Sequence, residues 1–285
     1  MALLSRSAKV AVIQMNIIQG DVHTNLDCAV SKIESAVKLG AELICLPEAF
    51  ATGINFMQLH KVAEHLASSV IVQTISDLAR AHKVYIIAGI IERSEKDEIF
   101  DTAIVINPDG HIEHRYRRRV LWSGEIHFLE ASSEQVTYFD TKFGRIGLII
   151  GYELFFPSLC TDYFTNNVVM IVCLANIFSS LKSIVPAICQ ARAYENQCYF
   201  VFASSIGTHT LVNDSYMGGS SIFCNSTLLP KRLVFKIGTS ENVSVTAGNH
   251  EDILCENLHL DSLKSSKERF FRGDFERYYS GNPKL

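Results

Sequence analysis

Short β-branched runs alternate with longer amphipathic stretches along most of this chain, and that alternation restricts the fold more than any other feature. Residues 10–15 read as a strand. Residues 25–39 read as a helix with Leu26, Val30, Ile33, Ala36 and Val37 on one face. A helix with one apolar stripe must lay it on another element, and the neighbouring strands supply a sheet. Residues 43–46 form the next strand, 60–82 a long helix, and 84–92 and 100–107 two further strands. Pro108-Asp109-Gly110 then turns the chain into a strand at 112–116.

The second half repeats the style. Strands are predicted at 136–139 and 145–150, a helix opened by Pro157, a strand at 168–174, and a helix ending at Asn196 with Pro186 in its first turn. Strands at 199–204, 220–224 and 252–260 follow. With no Pro/Gly/Ser linker between them, the two halves predict two mixed sheets packed face to face with helices outside, as one domain.

Composition agrees with one large core: 285 residues, 48% hydrophobic and 20% charged. A net charge of −4 and a pI near 6.2 provide no global field for nucleic acid or anionic membrane, so small-molecule or protein partners are expected. Residues 1–9 are too short and interrupted for a signal peptide, and no apolar stretch reaches about 18 residues, so a cytoplasmic, non-membrane protein is expected. Eight scattered cysteines without a C-x-x-C pair read as reduced core residues, and the sequons at Asn213, Asn225 and Asn242 then carry no weight. Arg115, Arg117, Arg118 and Arg119, with His111 and His114, form a basic cluster. Strand alternation sends its members to opposite faces, so it is read as solvated or pocket-lining rather than as a nucleic-acid patch. The two histidines lack further ligands, and neither a metal nor a cofactor is expected.

Several segments resemble one family in order and spacing: Val12-Ile13-Gln14-Met15-Asn16, Gly20-Asp21-Val22 with Asn25-Leu26, Leu46-Pro47-Glu48-Ala49-Phe50-Ala51-Thr52-Gly53, Pro108-Asp109-Gly110, Phe143-Gly144-Arg145-Ile146-Gly147 and Arg192-Ala193-Tyr194-Glu195-Asn196. This is the nitrilase superfamily, or carbon-nitrogen hydrolases. The resemblance implies a single α-β-β-α sandwich over 1–285 that dimerises, with 269–285 as a tail burying its aromatic rings against a partner subunit. It also implies attack on an amide, nitrile or carbamoyl carbon by a cysteine, with a glutamate general base and a lysine that steadies the oxyanion.

Carried over, the glutamate is Glu48. The family's Tyr-Arg-Lys-x-His-Leu pattern reads Tyr116-Arg117-Arg118-Arg119-Val120-Leu121, which sets Arg118 in the lysine position. A second family glutamate falls at Glu125. The cysteine position is Gly151, after an apolar strand and before Tyr152-Glu153. Without a thiol a thioester cannot form, and losing a nucleophile from such a unit costs roughly a million-fold.

Other groups are candidates to replace the nucleophile or to bind ligand. Cys173 lies within reach of the pocket or is a core cysteine; Cys160 is a weaker candidate; Glu48 could instead activate water. Tyr152 and Asn176 border the pocket, and Glu153 either binds ligand or hydrogen-bonds behind the site. Arg118 either clamps a carboxylate ligand or closes on Glu48 as an ion pair. Two functions stay open: a non-catalytic pseudoenzyme that binds a small molecule or regulates a partner, and an enzyme of changed mechanism working through Glu48 and Arg118.

Overall fold

In β1 (Ser7–Gln14), successive side chains point to opposite faces, and the two faces enter different cores. Val10 and Val12 join a core that also holds Leu148 and Ile150 from the second half of the chain. Ala11 and Ile13 join another with Ile33, Ala36 and Ile75 from helices. That division is the sandwich: one core between two sheets, and one between each sheet and its helices. The computed structural model describes residues 7–134, 138–209, 213–225, 242–261 and 263.

The first sheet continues with β2 (Leu43–Cys45), β3 (Tyr85–Arg93), β4 (Ile99–Ile106) and β5 (Ile112–Arg117), side by side in that order. The second sheet starts at its edge with β6 (Tyr138–Thr141), then β7 (Gly144–Ile150), β8 (Val168–Ala175) and β9 (Tyr199–Ser204). A two-stranded ribbon, β10 (Thr208–His209) with β11 (Asp214–Ser215), follows. Next, β12 (Ser221–Asn225) and β13 (Asn242–Thr246) complete the second sheet beyond β9, and β14 (Asp252–His259) returns antiparallel to β1. The middle of each sheet is parallel, with β1, β2 and β3 in one and β7, β8 and β9 in the other. Ligand sites in α/β proteins gather beyond the carboxyl ends of such strands.

Helix α1 (Val22–Lys38) begins at Asp21, whose carboxylate accepts from Thr24 N at 3.1 Å. The long helix expected over 60–82 is two. A single turn, α2 (Leu59–Val62), stops at Ala63, and α3 (Val70–His82) restarts after Ser69, whose hydroxyl accepts from Val72 N at 3.0 Å. Between them the chain runs beside β3, where Arg93 N donates to Glu64 O at 2.9 Å. This pairing with the sheet outweighs a helical propensity that is continuous in sequence. The helix expected from Pro157 is also shorter: 3₁₀ turns at Gly151–Phe155 and Pro157–Cys160 precede a brief α4 (Thr161–Thr165). Pro186 does fall in the first turn of α5 (Val185–Asn196). The hairpin at Gly110 forms with φ of 81°, a backbone that favours glycine. The expected tail at 269–285 and the start of the strand at 136–139 lie outside the described residues. Among the described residues no helix is long and apolar enough to cross a membrane.

Candidate functional site

Glu48 stands two residues beyond Leu46, where the chain leaves the first sheet. The turn is tied down by Leu46 N to Ile87 O at 2.9 Å and Phe50 N to Gly89 O at 3.1 Å. It rests directly on β3 because position 89 has no side chain; a Cβ there would lie 2.5 Å from Glu48 Cα. Asn176, just past β8, holds the turn from the opposite sheet. Its side-chain amide donates to Glu48 O at 2.8 Å, and its backbone N–H donates to Glu48 Oε2.

Arg118 follows β5 and is 2% exposed. Its Nε donates to Val120 O at 3.0 Å. Its Nη1 faces Glu48 Oε1 at 3.2 Å, Asp101 Oδ2 at 3.0 Å and Glu125 Oε1 at 3.1 Å, while Nη2 donates to Glu125 Oε2 at 2.8 Å. Of the two arrangements expected for Arg118, the structure has the ion pair with Glu48, and it enlarges that pair to three carboxylates around one guanidinium. Burial works against the charge of Arg118, but Glu48, Glu125 and Asp101 outweigh it and raise its pKa. Three buried carboxylates near one cation cannot all ionise cheaply. Burial holds the carboxyl of Glu48 well above its ordinary range, and the neighbouring Asp101 adds to this while Arg118 opposes it. Burial also raises Glu125, against the pull of Arg118.

Gly151 is the first residue past β7 and has φ of 48°. A Cβ there would meet Glu48 Oε1 at 2.8 Å, closer than real Cβ atoms come, and Oε2 at 3.0 Å, a tight contact. Glu48 therefore occupies the space a side chain at 151 would enter. Gly151→Ala is expected to lower stability by about 1–3 kcal/mol through backbone strain and overpacking. A urea unfolding midpoint equal to that of the unaltered protein would show that Glu48 moves aside freely.

A cavity of about 220 Å³ opens over these groups. Glu48, Arg118, Glu125, Gly151, Tyr152 and Asn176 line it, together with the rings of Phe56, Trp122, Phe155, Phe178 and Tyr216. The cluster has therefore not collapsed the pocket. His209 lines it too, at 2% exposure, with Nε2 2.7 Å from Ile54 O.

A match to the carbon-nitrogen hydrolase model spans residues 9–226, about three quarters of the chain. The chain belongs to the carbon-nitrogen hydrolase family. It is 29% identical to a nitrilase of Pyrococcus abyssi, with 95% of this chain and 98% of that protein aligned. It is 30% identical to omega-amidase NIT3 of Saccharomyces cerevisiae over 71% of this chain and 75% of that one. The crystal structure of Saccharomyces cerevisiae Nit3, described as a branch 10 member of the nitrilase superfamily, superposes with a TM-score of 0.82. That superposition covers 97% of this chain and 99% of the other at 24% identity, a likeness of fold.

In this carbon-nitrogen hydrolase, three residues offered a place at the pocket, Cys173, Cys160 and Glu153, lie away from it. Cys173 shares the outer face of β8 with Ile171 and Ala175 and packs among Cys189 and Ala193 of α5, because the strand's two-residue period turns it from the site. Burial raises its thiol pKa far above the ordinary value, against thiolate formation. Cys160 is buried in the same layer, its thiol pushed up to about 12 by burial. Glu153 is fully buried behind the site and accepts from Tyr116 Oη at 2.7 and 2.8 Å, Arg119 N at 2.7 Å, Val120 N at 3.3 Å and Ile150 N at 2.8 Å. Its carboxylate splints the segment carrying Arg118 to the turn at Gly151, which is the second of the two roles foreseen for it. Sequence reasoning missed Asp101, His209 and the aromatic walls. Asp101 did carry a signal: it shares the inward face of β4 with Ala103 and Val105, where an acid needs a partner.

Proposed function

We propose that this carbon-nitrogen hydrolase is a pseudoenzyme that binds a small molecule and does not form a thioester, with Gly151 at the family's nucleophile position and Arg118 at its lysine position. The observation that carries the reading is the turn after β7. It keeps the left-handed backbone of a strand-to-helix elbow, which presents a nucleophile where such a turn bears one, yet Gly151 offers no side chain. The acid that would take a thiol's proton leans into that space instead and is engaged with Arg118 and Asn176. Hydrolytic activity of the kind the relatives' names describe is therefore absent here, while the cavity persists. The resemblance to the family carries pairing into a homodimer with it, and sedimentation of the full chain would test that.

The deciding experiment incubates the protein, beside Glu48→Gln, with a cell metabolite extract and follows retained and converted compounds by mass spectrometry. Retention without conversion is the expected result. Conversion by the unaltered protein but not by Glu48→Gln would overturn the reading in favour of an enzyme that uses Glu48 to activate water, a route to which its raised carboxyl pKa is suited.

A further inference from the structure

We propose that the cavity is a site for a small organic cation, an ammonium group on an apolar body, seated between the carboxylates of Glu48 and Glu125 and the aromatic walls. The inference rests on the pocket being a binding site and names its ligand class. Its first ground is charge. Glu48, Asp101 and Glu125 surround the single guanidinium of Arg118, three formal negative charges against one positive. Among the described residues no lysine and no other arginine lines the cavity. The arrangement lacks a second cation, and in its absence Glu48, facing Arg118, Asp101 and Glu125, favours the protonated form.

The second ground is the wall. Phe56, Trp122, Tyr152, Phe155, Phe178 and Tyr216 bring six rings to one cavity, and ring faces attract a desolvated cation within about 6 Å. A carboxylate ligand would meet the same faces unfavourably and would have to compete with three carboxylates for Arg118.

A cavity of about 220 Å³, roughly seven times the share of one water in the liquid, has room for an ammonium group with a short body.

The test uses three probes of one shape on the full chain at pH 7.5: benzylammonium chloride, benzyl alcohol and sodium benzoate, followed by isothermal titration calorimetry and ligand-observed NMR. Benzylammonium is expected to bind at least ten times more tightly than benzyl alcohol, with benzoate weakest. Phe178→Leu, which keeps apolar bulk and removes the ring, is expected to weaken benzylammonium about 3- to 30-fold and benzyl alcohol less. Its unfolding curve shows whether it folds, and the probe ranking on the unaltered protein needs no variant. Benzoate binding best would overturn the proposal in favour of an anion site, and equal binding of all three would reduce the cavity to an apolar pocket. Binding of none would also overturn it, although a compound retained from the metabolite extract would still leave the binding-protein reading standing.

Discussion

Arg118→Met is expected to destabilise the fold by about 3–5 kcal/mol, the range for removing one partner of a buried ionic group. The residue is 2% exposed, and its guanidinium stands among Glu48, Asp101 and Glu125 with no other arginine or lysine among the described residues that line the cavity. Methionine fills much of the volume but leaves three acids without their cation. The loss should depend on pH in a definite direction. Arg118 now pulls the carboxyls of Glu48 and Glu125 down; without it their folded-state pKa values rise further above those of the unfolded chain. A group raised in this way contributes stability that is complete below its unfolded pKa, about 4.3 for glutamate, and is lost as pH rises through the folded pKa. The deficit of the variant should therefore be larger at pH 8 than at pH 5. Arg118→Lys keeps the charge but not the planar fork, and should lose less. Urea unfolding of the three proteins at both pH values measures this. A deficit under about 0.5 kcal/mol at pH 8, the range of an ordinary surface substitution, would show that the cluster is neutralised by protons and does not need the arginine.

Glu153→Leu should be of similar size, about 3–5 kcal/mol, for a different reason. One carboxylate receives the backbone N–H groups of Arg119, Val120 and Ile150 and the hydroxyl of Tyr116. Leucine would fill the space and leave those donors buried, at about 1–3 kcal/mol each when not relieved by movement. The damage should be local as well as global. Amide exchange should accelerate at 115–121 and 147–153, the two segments Glu153 joins. Glu153→Gln, which keeps one acceptor oxygen, should be milder. Unchanged exchange in both segments for the leucine variant would remove Glu153 from its splinting role.

Much of this molecule was legible before its structure. Residues 10–15 read as a strand, and the two-residue period of β1 sends Val10 and Val12 to one core and Ala11 and Ile13 to another. Glu48, Arg118, Glu125, Gly151, Tyr152 and Asn176, found from motifs, meet at one cavity. The errors were of one physical kind. Residues 60–82 carry a continuous helical pattern, but the edge of β3 draws Glu64 into pairing. Cys173 is near the site in sequence and faces away from it in space.

The sequence by itself determined the alternation of strands and helices, hence the two-sheet sandwich, and it determined that a glycine opens the turn after β7, because both are properties of short stretches of chain. Only the tertiary structure decided the electrostatic state of the site. Glu48 and Arg118 are 70 residues apart, and Asp101 comes from a third strand. Their meeting depends on the order of β2, β3, β4 and β5 in the first sheet, and their ionisation depends on the burial created where that sheet packs on the second. A carboxylate's environment is set by what surrounds it in space, and a neighbour many strands away leaves no mark on the local sequence.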